Sequence, residues 1–301
     1  MKFAIRLFLM LLLFSTRESH AQTIIDLNNG GKVHAKALDD YDRKPEWKPE
    51  AKDSIEYADC LKRAFSALHC DSLAEAKHYF KSALKLQPTA KGNYIIELHL
   101  GNIFEVEEAY GEAEKHYTNA LKLNPDLQQA RMSRAAVAVQ LYHFNEAKSD
   151  CDILLSQSPA KEHRSRLLFI RATALMGLRL NHEARKDLET LCILEPKNEN
   201  APIMLALSLH DEGRSQEALE RLNIHLRTNP ENSDALALRG SIHEALNLHD
   251  LALLDYDEAI RLDSTNASLY LERANCLEKL GKKSAAEKDR MTARSIRKQR
   301  K

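Results

Sequence analysis

The chain has 301 residues, and 44 lysines and arginines balance 44 aspartates and glutamates, so the formal net charge is zero. A protein that binds nucleic acid or an anionic membrane mainly through charge needs a basic excess, which this composition lacks. Hydrophobic residues make up 44% and charged residues 29% of the chain, which is typical of a folded protein rather than a disordered one.

The first 21 residues have the pattern of a secretory signal peptide. Lys2 and Arg6 precede an apolar run over residues 7–14, and a polar stretch ends in Ala21. The run is far shorter than the roughly 20 residues that cross a bilayer as a helix. We therefore predict cleavage after Ala21. The alternative is an uncleaved amphipathic or anchoring start, because the predicted cleavage region is unusually charged.

Residues 22–53 lack the repeat described below and predict an extended leader. Prolines on both sides of Trp47 exclude a stable helix there. The simplest interpretation is a solvated tether with its aromatic resting on the first repeat. The alternative is that Trp47 or Tyr41 occupies the binding groove of this same chain.

The rest of the sequence, 54–301, carries small residues at a fixed spacing. One series recurs every 34 or 37 residues, a second lies twelve positions before it, and a proline follows twelve positions after five of its members. Small residues at such intervals mark close approaches of two helices, and proline ends a helix. The spacing therefore predicts seven antiparallel helix-turn-helix units. The series are Ala76, Ala113, Ala147, Ala184, Ala218, Ala252 and Ala286; Ala64, Gly101, Ala135, Ala172, Ala206, Gly240 and Ala274; and Pro88, Pro125, Pro159, Pro196 and Pro230.

This pattern resembles the tetratricopeptide repeat family, most clearly from Gly101 through Tyr117 to Pro125. The resemblance covers about residues 57–300 and implies an all-α fold, a right-handed superhelical α-solenoid of about seven antiparallel units. These units are predicted at 57–90, 94–127, 128–161, 165–198, 199–232, 233–266 and 267–300. Both 37-residue intervals need three extra residues, near 91–93 and 162–164, which we place between the second helix of one unit and the first helix of the next. Four residues replace the family aromatic and predict looser or terminal units: Cys151, Leu188, Leu222 and Arg290.

The resemblance also implies where a partner binds, because in this family the first helices line a concave groove for a peptide or a partner helix. The predicted groove is apolar over the first five units and polar over the last two, at Ser241, Glu244, Asn275 and Glu278. Its apolar part suits an adaptable hydrophobic ligand, although single residues could equally pack between helices. The predicted partner-binding residues are Leu61, Phe65, Leu98, Asn102, Met132, Val139, Phe169, Thr173, Met176, Ile203, Leu207 and His210.

A subset of the family binds the carboxylate tails of cytosolic chaperones through a clamp of lysine, asparagine and arginine side chains. Here Leu61 and Phe65 stand at the clamp positions of the first unit, and Asn102 with Arg166 is too incomplete to replace it. The sequence therefore argues against a cytosolic chaperone adaptor.

No motif in the sequence predicts catalysis, a cofactor or a metal. There is no Gly-rich phosphate loop, no G-x-S-x-G elbow and no paired CxxC spacing. His243 and Glu244 followed by His249 lack the second histidine on the next helical turn that a zinc-peptidase helix requires. The prediction is a non-enzymatic chain without cofactor or metal site.

The five cysteines show no disulfide framework. Cys151 and Cys192, on second helices of neighbouring units, are the one pair worth testing for a disulfide, and buried free thiols are the simpler interpretation. We expect the chain to be exported, and to be either periplasmic or secreted. A eukaryotic secretory lumen is the alternative location. In that lumen, Asn266 of an Asn-Ala-Ser sequence would be a candidate for glycosylation.

The predicted function is a protein-protein interaction scaffold outside the cytoplasm that binds a peptide or partner helix in its groove. A chaperone-like holder of unfolded or secreted clients is the alternative. We expect a protein or peptide partner, no nucleic acid, no transmembrane span after signal cleavage, and a monomer unless array ends associate.

Overall fold

The computed structural model of the chain describes residues 52–299 and contains fourteen α-helices and no strand within that range. The predicted signal peptide and almost all of the predicted leader lie outside the described residues. Helix α1 begins at Lys52 and so includes the last two residues of the predicted leader. The helices are α1 Lys52–His69, α2 Leu73–Leu86, α3 Asn93–Val106, α4 Tyr110–Leu123, α5 Gln128–Gln140, α6 Phe144–Ser156, α7 Lys161–Gly177, α8 Asn181–Leu194, α9 Asn200–Asp211, α10 Ser215–Thr228, α11 Ser233–Ala245, α12 His249–Leu262, α13 Ala267–Lys279 and α14 Lys283–Gln299.

These helices belong to two compact units whose boundary falls inside α7, between Ala174 and Leu175. In the N-terminal unit, residues 52–174, α1 pairs with α2, α3 with α4 and α5 with α6. In the C-terminal unit, residues 175–299, α9 pairs with α10, α11 with α12 and α13 with α14. Within each unit the second helix of a hairpin also contacts the first helix of a following hairpin, as α4 does α5 and α12 does α13. The predicted all-α fold of stacked helical hairpins is confirmed.

The small residues of the sequence repeat lie buried within these hairpins. All seven members of the alanine series from Ala76 to Ala286 are completely buried, and every member of the companion series from Ala64 to Ala274 is buried as well. The five prolines lie in the loops after second helices. The repeat therefore defines the core of both units, because each hairpin buries its faces against its neighbours.

Two glycines of the companion series make room for a tyrosine ring from the second helix. A Cβ atom on Gly101 would lie 2.4 Å from Cε1 of Tyr117, and a Cβ on Gly240 would lie 3.0 Å from Cε1 of Tyr256. Both tyrosines are completely buried. Glycine is thus required at Gly101, since no larger side chain fits while the Tyr117 ring keeps its place.

The tight turns between first and second helices share one backbone device. Each has one residue in the left-handed region, with φ between 53° and 82°, and an amide that bonds the carbonyl five residues earlier. This arrangement ends an α-helix and satisfies its last carbonyl groups. Only two of the seven are glycine, although left-handed backbone strains other residues. The seven are Asp71, Glu108, Tyr142, Arg179, Gly213, Asn247 and Gly281.

Buried ion pairs join the two helices of several hairpins at a constant separation of 16 residues. Arg134 binds Asp150 at 2.8 Å, Arg239 binds Asp255 at 2.6 Å, and Arg273 binds Asp289 at 2.7 Å. The three carboxylates are nearly inaccessible, so each one needs its partner charge. The sequence interpretation missed these pairs, although arginine and aspartate recur at one position of the repeat.

The units that lack the family aromatic are not looser at that position. Cys151, Leu188 and Leu222 are as completely buried as Phe80, Tyr117 and Tyr256, so smaller apolar side chains fill the place. Arg290 differs, because its guanidinium is partly exposed and binds Glu278 and, at 4.0 Å, Glu287. The face of α14 around Arg290 is therefore polar.

The three-residue insertions take two different places. The first lies between hairpins as predicted, since residues 87–92 form the loop from α2 to α3. The second insertion is placed differently from the prediction, because α7 already begins at Lys161 and residues 162–164 lie in its first turn. The extra residues there lengthen a first helix.

Candidate functional site

The candidate site is the face of the first helices that the sequence predicts as a groove. All twelve predicted partner-binding residues lie on first helices, namely α1, α3, α5, α7 and α9. The structure divides them by accessibility. In the N-terminal unit the partly accessible ones are Leu61, Phe65, Asn102 and Met132, and in the C-terminal unit they are Met176 and His210.

The other six predicted residues are buried, so they do not face a ligand as the sequence predicts. Leu98 packs in a cluster with Phe104, Tyr117 and Val137. The Thr173 hydroxyl donates to the Phe169 carbonyl oxygen at 2.8 Å, within the same helix. These side chains belong to the interior of the stack rather than to an open surface. The six are Leu98, Val139, Phe169, Thr173, Ile203 and Leu207.

Phe65 is the aromatic residue of the accessible group. Its ring lies edge-on to Phe80, with centroids 5.4 Å apart, and edge-on to His99 at 5.2 Å. His99 in turn stacks on Phe80 at 5.6 Å. Edge-to-face contacts hold an aromatic ring in one orientation. Phe65 therefore presents a fixed apolar surface on α1.

A polar cluster in the N-terminal unit lies beside these apolar residues. The Tyr117 hydroxyl is 2.9 Å from Oδ1 of Asn102 and 2.5 Å from Oε2 of Glu105. Burial, followed by the charge of Glu105, raises the pKa of Tyr117 well above its usual value, so the hydroxyl keeps its proton. One proton serves two acceptors, and the cluster fixes the Asn102 side chain.

The first-helix face of the C-terminal unit is polar at α11 and α13. Tyr256 donates to Oε2 of Glu244 at 3.2 Å, and Glu244 pairs with Lys279 at 2.9 Å. Asn275 and Glu278 are exposed. On α9, His210 lies 2.9 Å from the Ser215 hydroxyl, and burial lowers the pKa of the imidazole. Charged groups on this face are thus partly compensated by their own neighbours.

The described part of the chain contains no cluster of side chains suited to metal binding. Between residues 52 and 299 there is no group of three or more histidine, cysteine or acidic side chains that could hold a metal. His243 is engaged with Asp255 at 2.9 Å. Among the described residues, the five cysteines form no disulfide with one another. Within the same range, no helix is both long and apolar enough to span a membrane.

The glycosylation candidate is engaged in capping a helix. The Asn266 side-chain oxygen accepts a hydrogen bond from the Ser268 amide at 3.0 Å, and the residue is buried. This bond is the N-cap of α13. The folded chain therefore does not present Asn266 as an accessible acceptor.

Both units are thus stacks of helical hairpins, and comparison with known proteins shows what this architecture is similar to. Residues 203–267 match the tetratricopeptide repeat family. A crystal structure of a tetratricopeptide repeat protein from Parabacteroides merdae superposes with a TM-score of 0.70 at 21% identity, covering 80% of this chain and 93% of that chain. This likeness shows that the chain has the same stacked-hairpin fold as that protein.

Curated relatives share the repeats over part of their length. The Hsp70-Hsp90 organizing protein of Triticum aestivum is 26% identical over 191 residues, covering 62% of this chain and 32% of the relative. A DnaJ homolog subfamily C member 7 homolog of Schizosaccharomyces pombe is 28% identical over 199 residues, covering 60% of this chain and 41% of the relative. The similarity therefore spans well under half the length of these relatives.

Proposed function

We propose that the chain is a non-enzymatic scaffold that binds a peptide or one helix of a partner protein on the first-helix face of its repeats. The observation that carries the proposal is the row of partly accessible apolar side chains on the N-terminal unit, Leu61 and Phe65 on α1 and Met132 on α5. A face with partly accessible apolar side chains beside a polar cluster can bind one side of an amphipathic segment.

The chemistry of these side chains favours an apolar ligand of variable shape. Phe65 is fixed by Phe80 and His99, whereas Met132 is unbranched and adapts to its contacts. Burying a large apolar side chain completely contributes roughly 1.5–3 kcal/mol. Several such contacts are needed for a stable complex, so the ligand must extend over more than one hairpin.

The names of the relatives agree with a protein partner but do not specify it. The wheat relative is called an Hsp70-Hsp90 organizing protein. In this chain Leu61 and Phe65 occupy the positions where the chaperone-binding subset has clamp residues, and both are apolar. A carboxylate-terminated chaperone tail is therefore disfavoured. A holder of unfolded clients is the second candidate, which the adaptable Met132 side chain favours.

The proposal includes export of the chain, which would then be either periplasmic or secreted. The support is the sequence pattern of residues 1–21, with a basic start, a short apolar run and Ala21 at the expected cleavage position. Sequencing the N-terminus of the chain from its native host tests this location. A mature protein that begins at Gln22 supports export, and one that retains residue 1 contradicts it.

The binding face is tested by exchanging an apolar side chain for a charged one on each side of a single hairpin. Met132→Asp on α5 places a carboxylate on the first-helix face, and Ile153→Asp on α6 places one on the second helix of the same hairpin. We expect the first change to weaken partner capture at least tenfold, about 1.4 kcal/mol, and the second to leave capture unchanged.

Crosslinking with mass spectrometry measures that capture. One partner at fixed stoichiometry supports the scaffold, whereas several unrelated partners support the holder. Unchanged capture by Met132→Asp, in a variant whose circular dichroism matches the parent, would show that the first-helix face is not the binding surface.

A further inference from the structure

A second surface with free apolar side chains lies on the second helices of the C-terminal unit. Ile193 on α8 is 79% exposed, Ile224 on α10 is 60% exposed, and Leu254 on α12 is 65% exposed. Leu251, one turn before Leu254, is 46% exposed. A single exposed aliphatic residue is ordinary, but three successive second helices that each present one indicate an interaction surface.

The charges on α10 indicate what covers this surface. Glu220 and Arg227 are seven residues apart, so both lie on one edge of the helix, on either side of Ile224. Both are exposed, and among the described residues neither makes a hydrogen bond or an ion pair. An α10 helix from another molecule that runs antiparallel would place its Arg227 opposite Glu220 and its Glu220 opposite Arg227. This edge of α10 is therefore complementary in charge to the same edge of a second copy.

We infer that the outward face of α8, α10 and α12 is an interface with a second copy of this chain, with two antiparallel α10 helices related by a two-fold axis near Ile224. In a two-fold contact the same patch serves both subunits, which is what the Glu220 and Arg227 pair allows. An unrelated partner would require no such self-complementarity. This inference differs from the monomer that the sequence predicts unless array ends associate.

The inferred dimer does not depend on the proposed ligand site. It uses second helices of residues 175–299, whereas the proposed ligand face lies on first helices. A dimer would carry two copies of that ligand face, so a ligand with two binding segments would gain avidity. The apolar contribution is limited to a few side chains per copy, and we expect a dissociation constant on the order of 10 µM.

Sedimentation velocity of the purified full-length chain between about 1 and 100 µM tests the inference, since this range brackets the expected dissociation constant. We expect a concentration-dependent shift from monomer to dimer that Ile224→Asp abolishes. Ile153→Asp is the matched control, because Ile153 occupies on α6 the repeat position that Ile224 occupies on α10 and is 39% exposed. The control should dimerise like the parent. Circular dichroism melts establish that both variants fold.

A charge exchange tests the antiparallel arrangement. Glu220→Arg alone and Arg227→Glu alone should each weaken the dimer about fivefold, by placing like charges opposite each other. The double variant restores opposite charges and should recover the parental dissociation constant. A parent that stays monomeric throughout, a loss of dimer in Ile153→Asp equal to that in Ile224→Asp, or a double variant without recovery would each overturn the inference.

Discussion

The hairpin α3–α4 of the N-terminal unit and the hairpin α11–α12 of the C-terminal unit use the same three residue types at the same repeat positions. Each has a glycine facing a tyrosine ring, and a glutamate that accepts from the tyrosine hydroxyl. The contacts in the first are tighter, with 2.4 Å against 3.0 Å at the glycine and 2.5 Å against 3.2 Å at the hydroxyl. One sequence pattern thus accommodates two degrees of packing tightness.

The difference in tightness predicts different tolerances for a methyl group. In Gly101→Ala the new Cβ would overlap the Tyr117 ring, so the ring or the helix must move, and we expect a net loss of about 2 kcal/mol. That loss already includes the gain of up to about 1 kcal/mol from the better helix propensity of alanine. In Gly240→Ala a shift of a few tenths of an ångström suffices, so its stability should change by less than about 1 kcal/mol.

Urea unfolding followed by circular dichroism measures both variants, and hydrogen exchange assigns any loss to the hairpin that carries it. Hydrogen exchange is necessary because stacked repeats can unfold in separate steps. Equal losses in the two variants would contradict the comparison. A larger loss in Gly240→Ala would reverse it.

The two tyrosine hydroxyls should also differ in their contribution. Tyr117→Phe removes a donor from Glu105, which is almost completely buried, and we expect a cost of about 1–2 kcal/mol. Glu244 retains Lys279 after Tyr256→Phe, so that change should cost about 0.5 kcal/mol. The same urea titrations test this pair. A cost for Tyr256→Phe that equals or exceeds that of Tyr117→Phe would show that Lys279 does not compensate.

The sequence predicts the hairpins well because small residues at close contacts are a local and strict requirement. Ala147 or Ala218 cannot be enlarged without separating two helices, and so the repeat of such residues predicts the fold and the core. The binding face is less predictable. Leu98 and Ile203 occupy the same repeat position as the partly accessible Met132 but are buried, so periodicity alone does not distinguish a side chain packed inside the stack from one facing solvent.

Two other features were not predicted from the sequence, for different reasons. The pair of Arg239 and Asp255 could have been found from its constant 16-residue spacing in three hairpins, because residues at fixed repeat positions meet at fixed places. The extension of α7 over residues 162–164 could not, because a loop and an added helical turn are equally compatible with three inserted residues.

The two units also differ in the residues that adopt left-handed backbone conformations in their turns. The N-terminal unit has Asp71, Glu108 and Tyr142 in the left-handed conformation, whereas the C-terminal unit has glycine at two of its four corresponding positions. Tyr142→Gly should stabilise the chain by roughly 0.5–1 kcal/mol, because relief of the backbone strain exceeds the entropy that glycine adds to the unfolded state. The Tyr142 ring, 53% exposed and 5.9 Å from that of Phe144, contributes little.

Gly213→Ala is the reverse experiment in the C-terminal unit. No atom lies within 4 Å of the added Cβ, so the change introduces backbone strain without a steric clash and should destabilise by about 1 kcal/mol. Thermal unfolding of the two variants beside the parent should therefore move the midpoints in opposite directions. If Tyr142→Gly lowers the midpoint as Gly213→Ala does, the aromatic contact with Phe144 stabilises the turn by more than its left-handed backbone costs.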